Sequence, residues 1–222
     1  MDHIVEIQSI GQVTPNVKYF RLQKPQGYHF DPGQATDVSI NKVGWQNEKR
    51  PFTFTALNEM PYLEFTIKSY ADHDGVTNEL NFLKAGDSLI IGDVWGAIEY
   101  KGPGYFIAGG AGITPFIAIL RWLQKENKTN GNKLFFSNKT SKDIIYKEEL
   151  TKILGSENVI YVVSDEENDA QANKYINEDF LKKEIDDFKK HFYICGPQKM
   201  TEQINEVLIK NGASPEEVVF EK

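Results

Sequence analysis

The chain has 222 residues, 40% hydrophobic and 26% charged, a composition that suits a soluble globular protein of one large or two small domains. A net charge of -7 and a pI of about 5.2 argue against a nucleic-acid partner, which needs basic surface. The single cysteine, Cys195, excludes an intramolecular disulfide, a cysteine-held iron–sulfur cluster and a four-cysteine zinc site.

No apolar run reaches the ~20 residues that cross a bilayer, so no membrane insertion is expected. The opening "MDHIVEIQSI" begins with an acid and lacks the basic-then-apolar pattern of a signal peptide. The expected location is cytoplasmic.

Up to about residue 100 the signals are β. "IVEIQSI", "NVKYFRL", "ATDVSI", "PFTFTAL", "LEFTIKSY" and "SLIIG" read as short strands, separated by turn clusters such as "KPQG", "DPG" and "KAGD". In "LEFTIKSY" Leu63, Phe65 and Ile67 alternate with Glu64, Thr66 and Lys68, which predicts one apolar and one polar face. This many short strands in about a hundred residues suggests a closed antiparallel β-barrel.

After residue 100 the rhythm becomes β then α. "YFIAGG", "KLFFS", "NVIYVVS" and "FYICG" are strands, and "EEVVFE" is a candidate last one. Between them lie a helix in "TPFIAILRWLQKEN", with Thr114 as N-cap and Pro115 at its first position, and one around "IYKEELTKIL" stopped by Gly155. A third, "NEDFLKKEIDDFKKH", is capped by Asn177, and a fourth, "PQKMTEQINEVLIKNG", is closed by Gly212. Repeated βα units imply a parallel sheet covered on both sides by helices. The expected organisation is two domains, residues 1–100 and 101–222, divided near "YKGPG".

Four stretches carry candidate chemistry. In "YFIAGGAGITPF", Gly109, Gly110 and Gly112 lead into a helix N-terminus, which is a ready pyrophosphate site; the plainer alternative is a tight βα turn. In "RPFT", alternation sets Arg50 and Phe52 on one face across Pro51, a guanidinium for a phosphate and a ring for stacking. The alternative there is an edge arginine beside core phenylalanines. In "DGVTNEL", Gly75 permits an unusual turn and Thr77 is read as capping a short helix, giving either a second anion site or a plain connector. In "ICGPQKM", Cys195 ends a strand at the same sheet edge as the glycine loop, and Gly196 and Pro197 turn into the next helix. A lone cysteine is otherwise a small buried hydrophobe.

The order "RPFTFTA", "GVTN", "GGAGITP", "CGP" over a barrel and then an α/β half resembles the ferredoxin–NADP reductase family of flavoenzymes, which includes flavodoxin reductases, NADH–cytochrome reductases and oxygenase reductase components. The resemblance covers essentially the whole chain. It implies that Arg50 pairs with the FAD pyrophosphate, that Phe52 lies along the flavin with Pro51 beside it, and that Thr53 hydrogen-bonds near the flavin N5. It implies FAD phosphates on Gly75, Val76 and Thr77, and a nicotinamide dinucleotide on Gly110, Gly112, Thr114 and Pro115. Cys195, with Gly196 and Pro197, would border the nicotinamide ring, so that Thr53 and Cys195 stand nearest the reaction.

The family often has tyrosine where this chain has Phe52. Many relatives end in an aromatic residue, where this sequence ends Phe220-Glu221-Lys222. The implied activity is hydride transfer from NAD(P)H to FAD. Electrons would pass on to an external acceptor, a small redox protein such as ferredoxin or flavodoxin. The alternatives are a regulatory or electron-transfer subunit of a larger assembly and a nucleotide-binding module without redox chemistry. The loop 137–143 offers Lys139 and Lys142 beside Asp143 and the loop 164–169 offers Asp165, Glu166 and Glu167, which favours NADH over NADPH; the alternative is a 2′-phosphate clasp made by Lys139 with Ser137.

Overall fold

The computed structural model describes residues 2–70, 74–96, 98–165, 175–216 and 218–220. His73 and the greater part of the acidic stretch after Asp165, with Glu166 and Glu167, lie outside the described residues, as do Glu221 and Lys222.

Six strands form the first sheet: β1 (His3–Thr14), β2 (Val17–Gln23), β3 (Gln34–Ile40), β4 (Arg50–Thr53), β5 (Tyr62–Lys68) and β6 (Ser88–Gly96). Their order is β4-β3-β6-β1-β2-β5, antiparallel throughout. The length of β1 lets it serve two neighbours. Its start pairs with β6 from His3 to Glu6, and its remainder pairs with β2 from Ile7 to Thr14 across two register shifts. Such bulges bend and twist a strand, which is how a sheet curls towards closure. The barrel closes where the chain just past β4 meets β5: Phe54 bridges Phe65, and the Thr55 amide donates to the Glu64 carbonyl at 2.8 Å.

Inside lie Val5, Ile7, Phe20, Leu22, Val38, Phe54, Leu63, Phe65, Leu89 and Ile91, all within 1% of full burial. Alternation in β5 holds for Leu63, Phe65 and Ile67. The opposite face is not the solvent face that the polar residues suggest, because Glu64 and Thr66 are 2% and 4% exposed. The second half of the molecule covers them.

The second sheet is parallel, in the order β11-β10-β7-β8-β9. Its strands are β7 (Gly104–Gly109), β8 (Lys133–Asn138), β9 (Val159–Val163), β10 (His191–Cys195) and β11 (Val218–Phe220). After the short α1 (Val76–Glu79), the helices are α2 (Thr114–Lys125), α3 (Lys147–Leu154), α4 (Glu178–Glu184) and α5 (Gln198–Lys210). Helices α2 and α3 pack on one face with Phe106, Leu134, Phe136 and Tyr193, and α4 and α5 on the other with Tyr105, Phe135, Phe192 and Ile194. Helices thus lie on both sides, as the repeated βα rhythm predicts.

Several local signals hold. The Asn177 side chain accepts from the Phe180 amide at 2.9 Å, Gly155 ends α3 at φ 86°, and Gly212 follows α5 at φ 104°. Others are corrected. Helix α4 does not run to residue 191. It stops at Glu184, where Ile185 turns extended to enter the core, and Asp186 then takes the Tyr105 hydroxyl and Lys190. Thr114 is not an N-cap either: a 3₁₀ turn over Gly110–Ile113 runs straight into α2, and the Thr114 hydroxyl donates back to the Ala111 carbonyl at 3.0 Å. Thr77 lies inside α1, whose N-cap is Gly75; the amides of Asn78 and Glu79 donate to the Gly75 carbonyl.

The connection between the sheets is held from one side. The Tyr193 hydroxyl accepts from the amides of Lys101 and Gly102 at 2.9 and 3.0 Å and donates to the Gly102 carbonyl at 2.7 Å. Burial pushes that phenol up to about 12, so it stays protonated and able to donate.

Candidate functional site between the barrel and the parallel sheet

A cleft of about 1020 Å³ runs between the two sheets. Its barrel wall includes Lys18 and the end of β5 with Lys68 and Tyr70; its other wall is the carboxyl edge of the parallel sheet. Gly109, Gly110 and Gly112 line it after β7, Ser137 to Lys139 at the end of β8, and Cys195, Gly196 and Pro197 after β10. This edge is where open α/β sheets take ligands.

The glycines divide by role. A Cβ on Gly112 would sit 2.3 Å from the Cys195 carbonyl oxygen, and one on Gly196 would sit 3.1 Å from the Gly109 backbone. One on Gly109 would meet Met200 and Pro197 at 2.6 and 2.9 Å. Gly112 and Gly196 let the two loops pack backbone against backbone, and Gly109 makes room for the Met200 and Pro197 side chains. Gly110 differs: it has φ 54°, and its open side meets only the Lys68 ammonium at 3.9 Å. Gly110 is therefore the glycine that presents bare backbone to the cleft, opposite a cation from the barrel.

Cys195 is 5% exposed, at the end of β10, with its carbonyl against Gly112. Pro115 is buried in the first turn of α2, and neither it nor Thr114 borders the cleft. Asn138 is 6% exposed on the cleft wall, and among the described residues neither its amide nitrogen nor its amide oxygen has a hydrogen-bond partner. A buried amide in that state calls for a ligand. Lys18, Lys68 and Lys139 around it suit phosphate groups. The cleft is also large enough for a dinucleotide, since pockets of about 300–1,000 Å³ enclose drug-sized ligands. These residues fit a nicotinamide dinucleotide.

The other group of sequence candidates lies on the barrel, apart from the walls of this cleft. Arg50 opens β4 half-exposed; its guanidinium donates to the Lys49 carbonyl at 2.7 Å and lies 3.5 Å from Glu48. Pro51 is exposed, Phe52 is half-buried with its ring 6.2 Å from that of Phe65, and Thr53 is 6% exposed. Val76 is buried in the barrel core against which Phe52 packs, so β4 and the 75–77 turn share one cluster. A Cβ on Gly75 would meet nothing within 4 Å, leaving that backbone open. An available guanidinium, a ring edge and an open glycine turn on one barrel fit the pyrophosphate and ring system of FAD.

Sequence reasoning missed Lys18, Lys68 and Asn138, which reach the cleft only through the docking of the two sheets. It also left Arg21 and Arg121 unassigned, although arginines are scarce here and their number was a usable signal.

Residues 106–206 match the family model described as an oxidoreductase NAD-binding domain. The propane 2-monooxygenase reductase component of Rhodococcus jostii is 25% identical over 232 residues, covering 97% of this chain and 62% of that protein. NADH-cytochrome b5 reductase 2 of Debaryomyces hansenii is 32% identical over 166 residues, covering 68% of this chain and 54% of that protein. The chain thus spans less than two thirds of the length of these curated relatives. In fold, a ferredoxin NADP+ reductase from Neisseria gonorrhoeae, with bound FAD and NADP, superimposes with a TM-score of 0.84 at 18% identity, covering 99% of this chain and 98% of that one. A closed antiparallel barrel followed by a five-stranded parallel sheet is thus the fold of that reductase, and in sequence the chain is similar to reductases of the ferredoxin–NADP reductase-like group.

Proposed function

We propose that the chain is an FAD-dependent oxidoreductase that takes reducing equivalents from NAD(P)H and delivers them to an external acceptor. The observation that carries this reading is the cleft itself. It opens between the barrel, which lines it with Lys18 and Lys68 and carries Arg50, Phe52 and Thr53 elsewhere on its surface, and a sheet edge bearing Gly110, Asn138 and Cys195. The bound cofactors supply the chemistry, a hydride transfer from nicotinamide to flavin.

The protein's part is binding, alignment and exclusion of water. Arg50 neutralises the FAD pyrophosphate, Phe52 offers a stacking plane, and the buried Thr53 hydroxyl holds the ring edge nearest the reaction. Gly75, Val76 and Thr77 carry the remaining FAD phosphates. Gly110 and Lys68 take the dinucleotide phosphates from opposite sides. Gly112 holds Cys195, Gly196 and Pro197 tightly enough to form a fixed wall for the nicotinamide. Thr114 and Pro115 start the helix behind the glycine loop.

The acceptor is a small redox protein or an oxygenase component, with ferredoxin and flavodoxin the leading types. The names of the relatives favour a role as the reductase part of a multicomponent system. A visible spectrum of the purified chain with FAD, before and after NADH or NADPH, tests the reading. A yellow protein bleached by either coenzyme supports it. A chain that binds no FAD overturns it.

A further inference from the structure

Two of the chain's three arginines converge on one buried carboxylate. Glu64, on the outer face of β5, is 2% exposed. Arg21 Nε donates to its Oε2 at 2.9 Å, and Arg121 Nη1 donates to its Oε1 at 2.9 Å. The same Nη1 donates to the Thr55 carbonyl at 2.7 Å, and the Thr55 hydroxyl donates to Glu64 Oε1 at 3.0 Å. On its other edge Arg121 holds both oxygens of Glu149, through Nε at 2.6 Å and Nη2 at 3.0 Å.

Tyr146 completes the cluster. Its ring centre lies 5.1 Å from the Arg121 guanidinium carbon, and its hydroxyl is 3.3 Å from the Thr66 hydroxyl, itself 3.2 Å from that of Thr55. Its backbone is left-handed at φ 50°, a conformation a tyrosine keeps only when its surroundings hold it.

The membership of this cluster is what matters. Arg21, Thr55, Glu64 and Thr66 belong to the barrel; Arg121 lies on α2, Tyr146 just before α3, and Glu149 on α3. Charges therefore alternate in one line from barrel to parallel-sheet half: Arg21, Glu64, Arg121, Glu149. A buried ion pair returns little net stability, because desolvation offsets its attraction. What a forked guanidinium supplies is fixed geometry.

The line ties together the two elements that build the cleft. Glu64 is four residues before Lys68 on β5, and Thr55 is two residues past Thr53. Arg121 is seven residues along α2 from Thr114, about 10 Å at 1.5 Å per residue, and that helix starts at the glycine loop.

We propose that Arg121 is a positioning residue: by locking β5 to α2 it sets the separation and tilt between the flavin site on the barrel and the nicotinamide site on the sheet edge. The proposal rests on the function argued above, but the lock itself can be read without any cofactor.

The test compares the parent chain with Arg121→Lys, Arg121→Met and Glu149→Gln. Each FAD-loaded variant is mixed with NADH by stopped flow, and the cofactor-free chains are compared by amide hydrogen exchange. The expected result is unchanged FAD content, NADH affinity within about twofold, and flavin reduction slowed roughly tenfold to a hundredfold in the Arg121 variants, since small misalignments cost that much. Glu149→Gln should show a smaller slowing in the same direction. Exchange at Thr55 and Thr66 should rise in all three, while amides of the barrel interior keep their protection.

If Arg121→Met does not fold, Arg121→Lys and Glu149→Gln decide. Reduction rates within twofold of the parent in folded, FAD-loaded Arg121→Lys would overturn the proposal, whatever its melting temperature. If the parent itself is not reduced by NADH or NADPH, the functional reading fails and the redox role of Arg121 fails with it. Raised exchange at Thr55 and Thr66 would then still identify a lock between the two halves, and unchanged exchange would remove that as well.

Discussion

Lys139 and Asp165 are joined across two loops: the Asp165 amide donates to the Lys139 carbonyl at 2.9 Å, and the Ser164 hydroxyl donates to the Asp165 carboxylate at 2.6 Å. The loops after β8 and β9 therefore meet, with the Asp165 carboxylate directly after Ser164, and Lys139 is, among the described residues, the one lysine of the parallel-sheet half that lines the cleft. A 2′-phosphate on the coenzyme would meet that carboxylate. We expect kcat/KM to be higher with NADH than with NADPH, measured with both at one ionic strength because salt screens the repulsion. Asp165→Ser should narrow the gap and Lys139→Ala should widen it; a clear NADPH preference in the parent would refute the assignment.

Arg50→Ala should weaken FAD binding by about 2 kcal/mol or more, roughly thirtyfold, through loss of a charge-assisted contact. Among the described residues the Arg50 guanidinium makes polar contacts with the Lys49 carbonyl and Glu48 alone, both at the surface, so the cofactor-free chain should melt as before. Fluorescence titration with FAD and thermal denaturation of the apoprotein separate the two effects.

Gly112→Ala and Gly110→Ala should differ in kind. At Gly112 the new methyl would overlap the Cys195 carbonyl, and neither backbone can yield cheaply, so a loss of about 1–3 kcal/mol in stability is expected. At Gly110 there is room, and the cost is the left-handed backbone alone, about 1–2 kcal/mol. The decisive readout is coenzyme binding. Gly110→Ala should impair it in protein that remains folded, because its methyl points into the cleft.

Cys195→Ala should slow flavin reduction while leaving FAD content intact, since the residue ends β10 on the cleft wall and belongs to the other sheet from the Arg50 strand. Stopped-flow reduction at the parent rate, with only a lower melting temperature, would make the thiol a packing group.

Acid should unfasten the two halves. Burial alone would push the Glu64 carboxyl up, but the Arg121 charge and the hydrogen bonds from Arg21, Arg121 and Thr55 outweigh it and hold the pKa below its ordinary 4.5. A depressed folded value means that the stabilisation is complete above the unfolded pKa, near 4.5, and is lost as pH falls towards the folded one. Stability should therefore decline below about pH 4.5. Glu64→Gln should cost on the order of 3 kcal/mol at neutral pH and flatten that acid limb, which urea titrations at pH 3 to 7 would show.

The βα rhythm, the alternating β5 and the stops at Gly155 and Gly212 were legible because each depends on residues close in sequence. The end of α4 was not. Nothing in "KEIDDF" breaks a helix; Ile185 leaves it to fill the second core, and Asp186 is held by Tyr105 from another strand. The caps assigned to Thr114 and Thr77 failed because glycine 3₁₀ and turn geometry begins each helix earlier than the polar side chain suggests, with Ile113 and Gly75 in the cap positions. The burial of the polar face of β5 was not legible, because alternation reports which face is apolar and says nothing of what covers the other. Arg121, Glu64 and Glu149 are brought together from separations of 57 and 28 residues, beyond any local pattern.

The hydroxyl of Tyr193 bears on where this chain can be cut. Because it grips Lys101 and Gly102, those residues travel with the parallel sheet, as do Ile98, buried in its core, and Tyr100, whose ring lies 5.7 Å from that of Tyr193. A fragment beginning at Ile98 would keep the grip and both core contacts. One beginning at Gly104, the first residue of its first strand, would leave a buried phenol with none of its three partners. The shorter fragment should be the less soluble of the two.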